Sequence, residues 1–160
     1  MYTRLVVPLD GSALAAQALP QATMLAQRGV IPLHLVRVVE LPPLARAGLA
    51  EFREDVAAAA ADLTQVAARL QAEGLSVTTE VRPGDVVDEL LAVAEPGDLY
   101  VLATHGRTGV TRWLLGSVAE ALARRSVVPV LLVRMLVPSR VVKTETRAPA
   151  TVPAAQPAHA

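Results

Sequence analysis

The sequence predicts an α/β fold, a doubly wound sheet of five parallel strands with helices on both faces. The first observation is that short apolar segments alternate with segments whose apolar residues recur at helical spacing. The second is the segment DLYVLAT, residues 98–104, which is apolar on both faces and is therefore typical of a buried strand. Strands that alternate with helices in this way form parallel sheets covered on both sides.

Five strands and four helical segments fit into about the first 135 residues. In chain order we predict strand 3–10, helix 12–28, strand 31–40, helix 49–73, strand 75–81, a helix starting near Asp85, strand 98–104, helix 116–126 and strand 128–134. Gly29 and Gly74 follow the first two helices and are predicted to end them. Strand 75–81 is rich in β-branched residues and is predicted at a sheet edge.

This organisation also predicts where a ligand would bind. In open parallel sheets, ligands bind outside the carboxyl ends of the strands, where the strand order reverses. The loops that follow the first and fourth strands are therefore the places to examine. They are Asp10-Gly11-Ser12 and the segment from Thr104 onwards.

The chain is predicted to be one domain, residues 1–136, followed by a tail, residues 137–160. The tail carries four prolines and many alanines without a periodic apolar pattern, so we expect it to be disordered. No apolar run approaches the roughly 18–20 residues needed to cross a bilayer. The amino-terminal segment enters a strand directly, without the pattern of a signal peptide. We expect a cytoplasmic protein without a membrane partner.

Composition excludes several classes of function. Fifteen basic residues balance fifteen acidic ones, and aromatic residues make up 2% of the chain, so neither the charge nor the stacking platforms of a nucleic-acid-binding protein are present. Cysteine is absent, which excludes disulfides, thiolate metal sites and cysteine nucleophiles. We predict no metal site formed by protein side chains.

The segment ATHGRTGVTRWLLGSVAE, residues 103–120, carries the main functional signal. Ser117 and Glu120 have the spacing of a capping box at the start of a helix, and a helix amino terminus favours an anion. The preceding glycines would let the loop curl with its N–H groups pointing inward, and two arginines would add charge. These residues are Gly106, Arg107, Gly109, Arg112 and Gly116. The alternative is an ordinary turn and helix cap. A Walker A loop is excluded, because the first lysine is Lys143.

Two segments resemble the universal stress protein family. They are RLVVPLDGS, near the amino terminus, and THGRTGVTRWLLGSVAEALARRSVVPVLLVR, and the resemblance covers about residues 2–134. ATP-binding members carry Gly-x-x-Gly, nine further residues and then Gly-Ser or Gly-Thr. Here Gly106 is followed by nine residues and then Gly116-Ser117. Ala103 stands at the first glycine of the pattern, and we expect its small methyl group to leave the pocket intact.

The resemblance implies a Rossmann-like, adenine-nucleotide α-hydrolase-like fold that binds ATP, with any Mg²⁺ held through the ATP phosphates. Pro8 and Val38 would form apolar walls around the adenine, and Asp10 would contact the adenine or ribose. Other family positions correspond to ribose and phosphate contacts or face the same cleft. In this sequence they are Thr104, His105, Gly106, Arg107, Gly109, Gly116, Ser117 and Val118.

The resulting hypothesis is an ATP-binding signalling or stress-response module, not an enzyme, with at most slow ATP hydrolysis. A homodimer through the last strand, residues 127–133, and an unidentified signalling partner are expected. The first alternative is a nucleotide-free dimeric scaffold of the same fold. The second is an enzyme that transfers or hydrolyses phosphate, which lacks support because no lysine clamp is present.

Other polar residues have structural interpretations. His34 lies in the second strand and is predicted to be a half-buried core residue. Asp85, Asp88 and Glu89 begin a helix, where acidic residues are expected, and are interpreted as solvated.

Overall fold

The computed structural model describes residues 1–41, 48–106 and 116–136. In this part of the chain the strands are β1 (Arg4–Pro8), β2 (Leu33–Val39), β3 (Val77–Pro83), β4 (Asp98–Gly106) and β5 (Val130–Leu136). The helices are α1 (Leu19–Gly29), α2 (Leu49–Ala72), α3 (Val86–Val93) and α4 (Ser117–Arg125), with a 3-10 turn, Ala15–Ala18, before α1.

The strands of the described residues form one parallel sheet in the order β3-β2-β1-β4-β5. Leu5 of the central strand β1 lies opposite Leu33 of β2 on one side and Leu99 of β4 on the other. The strand order therefore reverses between β1 and β4, where a doubly wound sheet opens its ligand crevice. The predicted parallel α/β fold is confirmed, and β3 lies at an edge as expected.

The helices cover the sheet on both faces. Alternate residues of a strand point to opposite faces, so Leu5 and Val7 pack with α1 and α2 in one apolar cluster. Val6 packs with α3 and α4 in the other, where Tyr100 and Leu122 are also buried. Because β1 is apolar on both faces, it can occupy the middle of the sheet.

The predicted helix 12–28 is wrong at both ends. Pro20 lacks a backbone N–H and is tolerated only in the first turn of a helix, which explains why α1 begins at Leu19 after a separate 3-10 turn. At the other end Gly29 is still helical, and Val30 adopts the left-handed conformation with φ 52°. A Cβ on Gly29 would lie 2.6 Å from Cδ1 of Ile31, so a larger residue there would require the Ile31 side chain to shift.

The second and third helices agree with the sequence prediction. Helix α2 ends just before Gly74, whose φ of 86° favours glycine. Asp85 caps α3, since its carboxylate accepts hydrogen bonds from the N–H groups of Val87 and Asp88, each at 3.0 Å. No helix within the described ranges combines the length and the apolar character required to cross a membrane.

Two expectations about polar residues need correction. His34 is buried rather than half-buried, and its ring makes hydrogen bonds with Thr78 and Glu80. Asp85 and Asp88 are exposed as expected, but Glu89 is partly buried and forms an ion pair with Arg82. The predicted disordered tail, residues 137–160, lies outside the described residues.

Candidate functional site

A cavity of about 250 Å³ lies at the carboxyl ends of β1 and β4, on the sheet face covered by α3 and α4. We call it the β1–β4 cavity. Its lining residues are Pro8, Leu9, Asp10, Ser12, Leu14, Ala15, Val36, Val38, Val86, Leu90, Leu102, Ala103, Thr104, Gly116, Ser117, Val118 and Ala119. It therefore opens at the strand-order reversal, as the fold predicts.

Apolar side chains form the walls of the β1–β4 cavity. Pro8, Val38 and Leu102 line it from the sheet, while Val86 and Leu90 line it from α3. Val86 and Leu90 are four residues apart and lie on the same side of the helix. A space bounded by a sheet on one side and a helix on the other suits a flat apolar group such as an aromatic ring.

Asp10 supplies a hydrogen-bond acceptor at the end of β1. Its carboxylate accepts the backbone N–H of Ser12 at 2.8 Å, which closes a small turn. Partial burial disfavours the ionised form of the Asp10 carboxyl. Hydrogen bonds from the hydroxyl and the backbone N–H of Ser12 favour the ionised form more strongly, and the positive charge of Arg37 acts in the same direction. The pKa of Asp10 is therefore lowered. The side chain is ionised near neutral pH and accepts hydrogen bonds only.

The amino terminus of α4 faces the same cavity, but the predicted capping box is wrong. Gly116 is the N-cap residue and Ser117 is the first helical residue. No side chain of the described residues caps this helix, and the Glu120 carboxylate pairs instead with Arg124 at 3.1 Å. The Ser117 hydroxyl and the N–H groups of the first turn are thus not used by a capping box.

Gly116 is not required by the backbone conformation. Its φ of −56° and ψ of 150° are accessible to any residue, and a Cβ built on it would meet no described atom within 4 Å. The added atom would therefore stand in open space at the β1–β4 cavity. The space beside Gly116 would let a ligand approach its backbone closely.

The side chain of Ala103 points to the opposite sheet face from that of its neighbour Leu102, which lines the cavity. Its partly buried side chain packs against the cluster formed with α1 and α2, whereas Leu102 belongs to the cluster on the α3 and α4 face. Ala103 borders the cavity as a residue of the strand. Because strand side chains alternate, its methyl group points toward the other face of the sheet.

The structure brings together most of the site residues that the sequence predicts. Those that line the β1–β4 cavity are Pro8, Asp10, Val38, Thr104, Gly116, Ser117 and Val118. Thr104 lies in β4 as the predicted strand 98–104 requires, whereas His105 and Gly106 were expected in the loop but extend β4, opposite Met135 and Leu136 of β5. Arg107, Gly109 and Arg112 lie outside the described residues.

Several lining residues were not predicted from the sequence. They are Leu9, Ser12, Leu14, Ala15, Val36, Val86, Leu90, Leu102 and Ala119. Two signals could have found part of this set: Val36 precedes Val38 by two residues on the same strand face, and Val86 and Leu90 have the spacing of one helix face. Among the described residues, no group of three or more acidic or histidine side chains could hold a metal ion.

The cavity combines three chemical features. Apolar walls suit a flat ring, the ionised Asp10 accepts hydrogen bonds from donors on it or beside it, and the amino terminus of α4 favours an anion. The two polar features come from different parts of the chain. Asp10 follows β1, and Ser117 begins α4, which follows β4. Such a site suits an elongated ligand with a donor-rich aromatic end and an anionic end.

Comparison with known proteins shows the family to which the chain is similar. The profile of the universal stress protein family matches residues 1–134. Universal stress protein MJ0531 of Methanocaldococcus jannaschii is 30% identical over 141 residues, covering 84% of this chain and 83% of that protein. The structure of universal stress protein UspA from Lactobacillus plantarum is 25% identical, with a TM-score of 0.70, and covers 83% of this chain and 98% of that one. A universal stress protein solved in complex with cAMP is 27% identical, with a TM-score of 0.65, and covers 82% of this chain and 97% of that one.

Proposed function

Because the chain belongs to the universal stress protein family, we propose that it is an ATP-binding stress-response module that works in the cytoplasm. ATP occupies the β1–β4 cavity in this proposal. One observation supports it most: residues from β1, β2, β4 and α4 that resemble the family's nucleotide contacts surround a single cavity. A relative of the same fold, 27% identical, was solved with cAMP, which is also an adenine nucleotide.

The chemistry of the walls supports one orientation of the nucleotide. The adenine lies between the sheet side chains Pro8 and Val38 and the helix side chains Val86 and Leu90. The ionised Asp10 accepts a hydrogen bond from the adenine amino group or a ribose hydroxyl, and it would repel phosphate. The phosphates therefore lie toward Ser117 and the amino terminus of α4, and Mg²⁺ binds through them.

We propose that the module binds ATP without rapid turnover. Asp10 is the one ionisable residue among the described residues that line the cavity. Fast phosphoryl transfer would require cationic groups, metal-holding carboxylates and a base aligned with the terminal phosphate. ATP occupancy would instead alter a surface recognised by a signalling partner. Slow ATP hydrolysis measured with the purified chain would agree with this proposal, and turnover of about 1 per second or faster would contradict it.

The proposal is tested by calorimetric titration of the purified chain with ATP, with and without Mg²⁺. Gly116→Val places a branched side chain at the cavity and is expected to abolish binding. Because valine is a poorer N-cap than glycine, this variant also loses about 1 kcal/mol of stability or less. Gly116→Ser keeps a favoured N-cap residue while still adding atoms, so it should weaken binding without destabilising the fold.

The matched control is Ala57→Val, which adds the same branch to an exposed position of α2 away from the cavity. This control should bind ATP like the wild type. Micromolar binding that both Gly116 variants reduce supports the site. A wild-type chain that binds no adenine nucleotide overturns the proposal and favours the scaffold alternative.

Pairing of two copies is expected for the nucleotide-binding module as well as for the scaffold alternative. Strand β5 lies at the edge of the sheet, so its outer backbone groups have no partner strand within the described part of the chain. Exposed edges are commonly paired or blocked. We propose that two copies pair through this strand, whether or not nucleotide is bound. Sedimentation over a concentration series would reveal the dimer, and amide exchange in β5 should slow as the dimer forms. Exchange that does not depend on concentration would contradict it.

A further inference from the structure

A chain of polar contacts connects helix α3 to the edge strand β3. The side chains that form it lie outside the lining of the β1–β4 cavity. Arg82 of β3 donates from Nε to Oε2 of Glu89 at 2.7 Å and from Nη1 to Oε1 of Glu80 at 2.7 Å. The other oxygen of Glu80 lies 3.0 Å from Nε2 of His34, which is buried in β2. The chain therefore runs from the interior of β2 across β3 to α3.

The turn before α3 is shaped around this contact. Gly84 has a φ of 149°, and a Cβ built on it would lie 2.7 Å from Cγ of Glu89 and 2.8 Å from its Oε1. Any other residue at this position would therefore displace the Glu89 side chain. The N–H of Gly84 also bonds to the carbonyl of Val39 at 3.1 Å, which fixes the turn to the end of β2.

The two ends of this chain carry opposite walls of the β1–β4 cavity. His34 shares its strand face with Val36 and Val38, while Glu89 lies in α3 between Val86 and Leu90. The ion pair between Arg82 and Glu89 is partly buried, since the side chains are 29% and 27% exposed. Solvent therefore screens its attraction less than that of the pair between Asp88 and Arg125, whose side chains are 66% and 56% exposed.

We propose that Arg82 is a positioning residue of the nucleotide site. By holding Glu89, it fixes the distance between the α3 wall and the β2 wall, and so sets how closely the base fits. This inference rests on the proposed function, because it concerns the same cavity. Arg82 itself does not line the cavity, so its effect on the ligand passes through α3.

The test compares ATP with etheno-ATP, whose adenine carries an additional fused ring. The wild type should bind ATP more tightly, because the fused ring widens the base in its own plane and takes up the amino group that Asp10 could contact, so the larger base fits the held walls less well. Arg82→Met and Glu89→Met keep an unbranched side chain and remove the ion pair. Each should weaken ATP binding about 5-fold and etheno-ATP binding less than about 2-fold, so the preference for ATP falls. The double variant should bind ATP no worse than Arg82→Met, since both lose the contact between Arg82 and Glu89.

Arg124→Met is the matched control, because it removes an equally charged arginine from an exposed pair on α4. It should leave both affinities unchanged. Equal weakening of ATP and etheno-ATP in the Arg82 and Glu89 variants, or no change in either, overturns the inference while leaving the proposed function intact. A wild type that binds neither nucleotide overturns both. If Arg82→Met shows no cooperative thermal transition, Glu89→Met, which retains the bond of Arg82 to Glu80, carries the same test.

Discussion

The guanidinium of Arg4 and the carboxylate of Asp98 form a two-point ion pair between residues 94 positions apart. Nε lies 3.0 Å from Oδ1 and Nη2 lies 2.6 Å from Oδ2. Asp98 is 1% exposed and also accepts the backbone N–H of Glu95 at 2.8 Å. Arg4 donates in addition to the carbonyl of Val93 at 3.1 Å. The pair joins the amino ends of β1 and β4, at the opposite end of the sheet from the cavity.

Asp98→Ala should strongly destabilise the fold, because it leaves Arg4 partly buried without its main partner. The expected loss is about 3–5 kcal/mol in the free energy of unfolding, measured with urea. Asp62→Ala is the control, since the Asp62 carboxylate that pairs with Arg37 is 63% exposed and should cost less than about 1 kcal/mol. A loss below about 1 kcal/mol for Asp98→Ala would contradict the structural role.

Acid should unfold the chain partly through Asp98 and Glu80. Burial opposes ionisation of both carboxyls, but hydrogen bonds from Arg4 to Asp98, and from Arg82 and His34 to Glu80, lower their pKa values. A lowered pKa stabilises the fold above the unfolded value, 3.8 for Asp98 and 4.5 for Glu80, and this stabilisation is lost as pH falls through the folded pKa. Urea midpoints measured between about pH 7 and pH 3 should fall most steeply below about pH 5. A flat profile there would contradict the expectation.

The Tyr100 hydroxyl should lose its proton only at high pH, and its ionisation should lower the stability of the fold only there. Burial raises the pKa of its hydroxyl to about 12, and the nearby Asp98 acts in the same direction. A raised pKa means that the stabilisation is complete below the unfolded value of 10.0 and is lost as pH rises through about 12. Ultraviolet titration of the wild type and Tyr100→Phe identifies the phenolate. A phenolate assigned to Tyr100 near its ordinary pKa would contradict the buried environment.

Tyr100→Phe should also cost about 1 kcal/mol at neutral pH, because the hydroxyl donates a hydrogen bond to the carbonyl of Leu90. Leu90 lies in α3 and lines the cavity. Urea unfolding checks the cost, and Tyr2→Phe, at a more exposed position, is the control. Equal stability of wild type and Tyr100→Phe would show that the bond adds nothing.

Ser117→Ala should separate the two ends of the nucleotide. If the phosphates lie at the amino terminus of α4, removing this hydroxyl weakens ATP binding by about 1.5–3 kcal/mol, the usual worth of a hydrogen bond to a charged group. Adenosine lacks phosphate, so its affinity should not change. Titration calorimetry with both ligands measures the difference. Equal loss for ATP and adenosine would place Ser117 near the base instead.

The parallel α/β fold and the general position of the site follow from sequence patterns, because they depend on residues whose local chemistry is decisive. Two apolar faces place a strand inside the sheet, and Asp85 and Gly74 act within one turn of their own helix. The end of the first helix does not follow from the pattern. Val30 takes the left-handed conformation that Gly29 was expected to adopt, and a Cβ on Gly29 would crowd the side chain of Ile31.

The candidate site was predicted in the same uneven way. Pro8, Asp10 and Gly116 were predicted from the two segments that resemble the universal stress protein family, and all three line the cavity. Val86 and Leu90 were missed, because their helical spacing marks a buried face without indicating which cavity it covers. The tie between Arg82 and Glu89 depends on how β3 and α3 meet around Gly84, which no periodic pattern in the sequence encodes.

The central place of β1 has a consequence for synthesis of the chain. Strand β1 pairs with β2 soon after both are made, but its other edge must wait for β4, about 60 residues beyond the end of β2. At ordinary translation speeds this interval lasts roughly 3 to 12 seconds, during which an apolar strand edge is open to unwanted pairing. The β1–β4 cavity is completed only after β4 and the first turn of α4 have been made. Nascent chains stalled before and after β4 should therefore differ sharply in their susceptibility to aggregation.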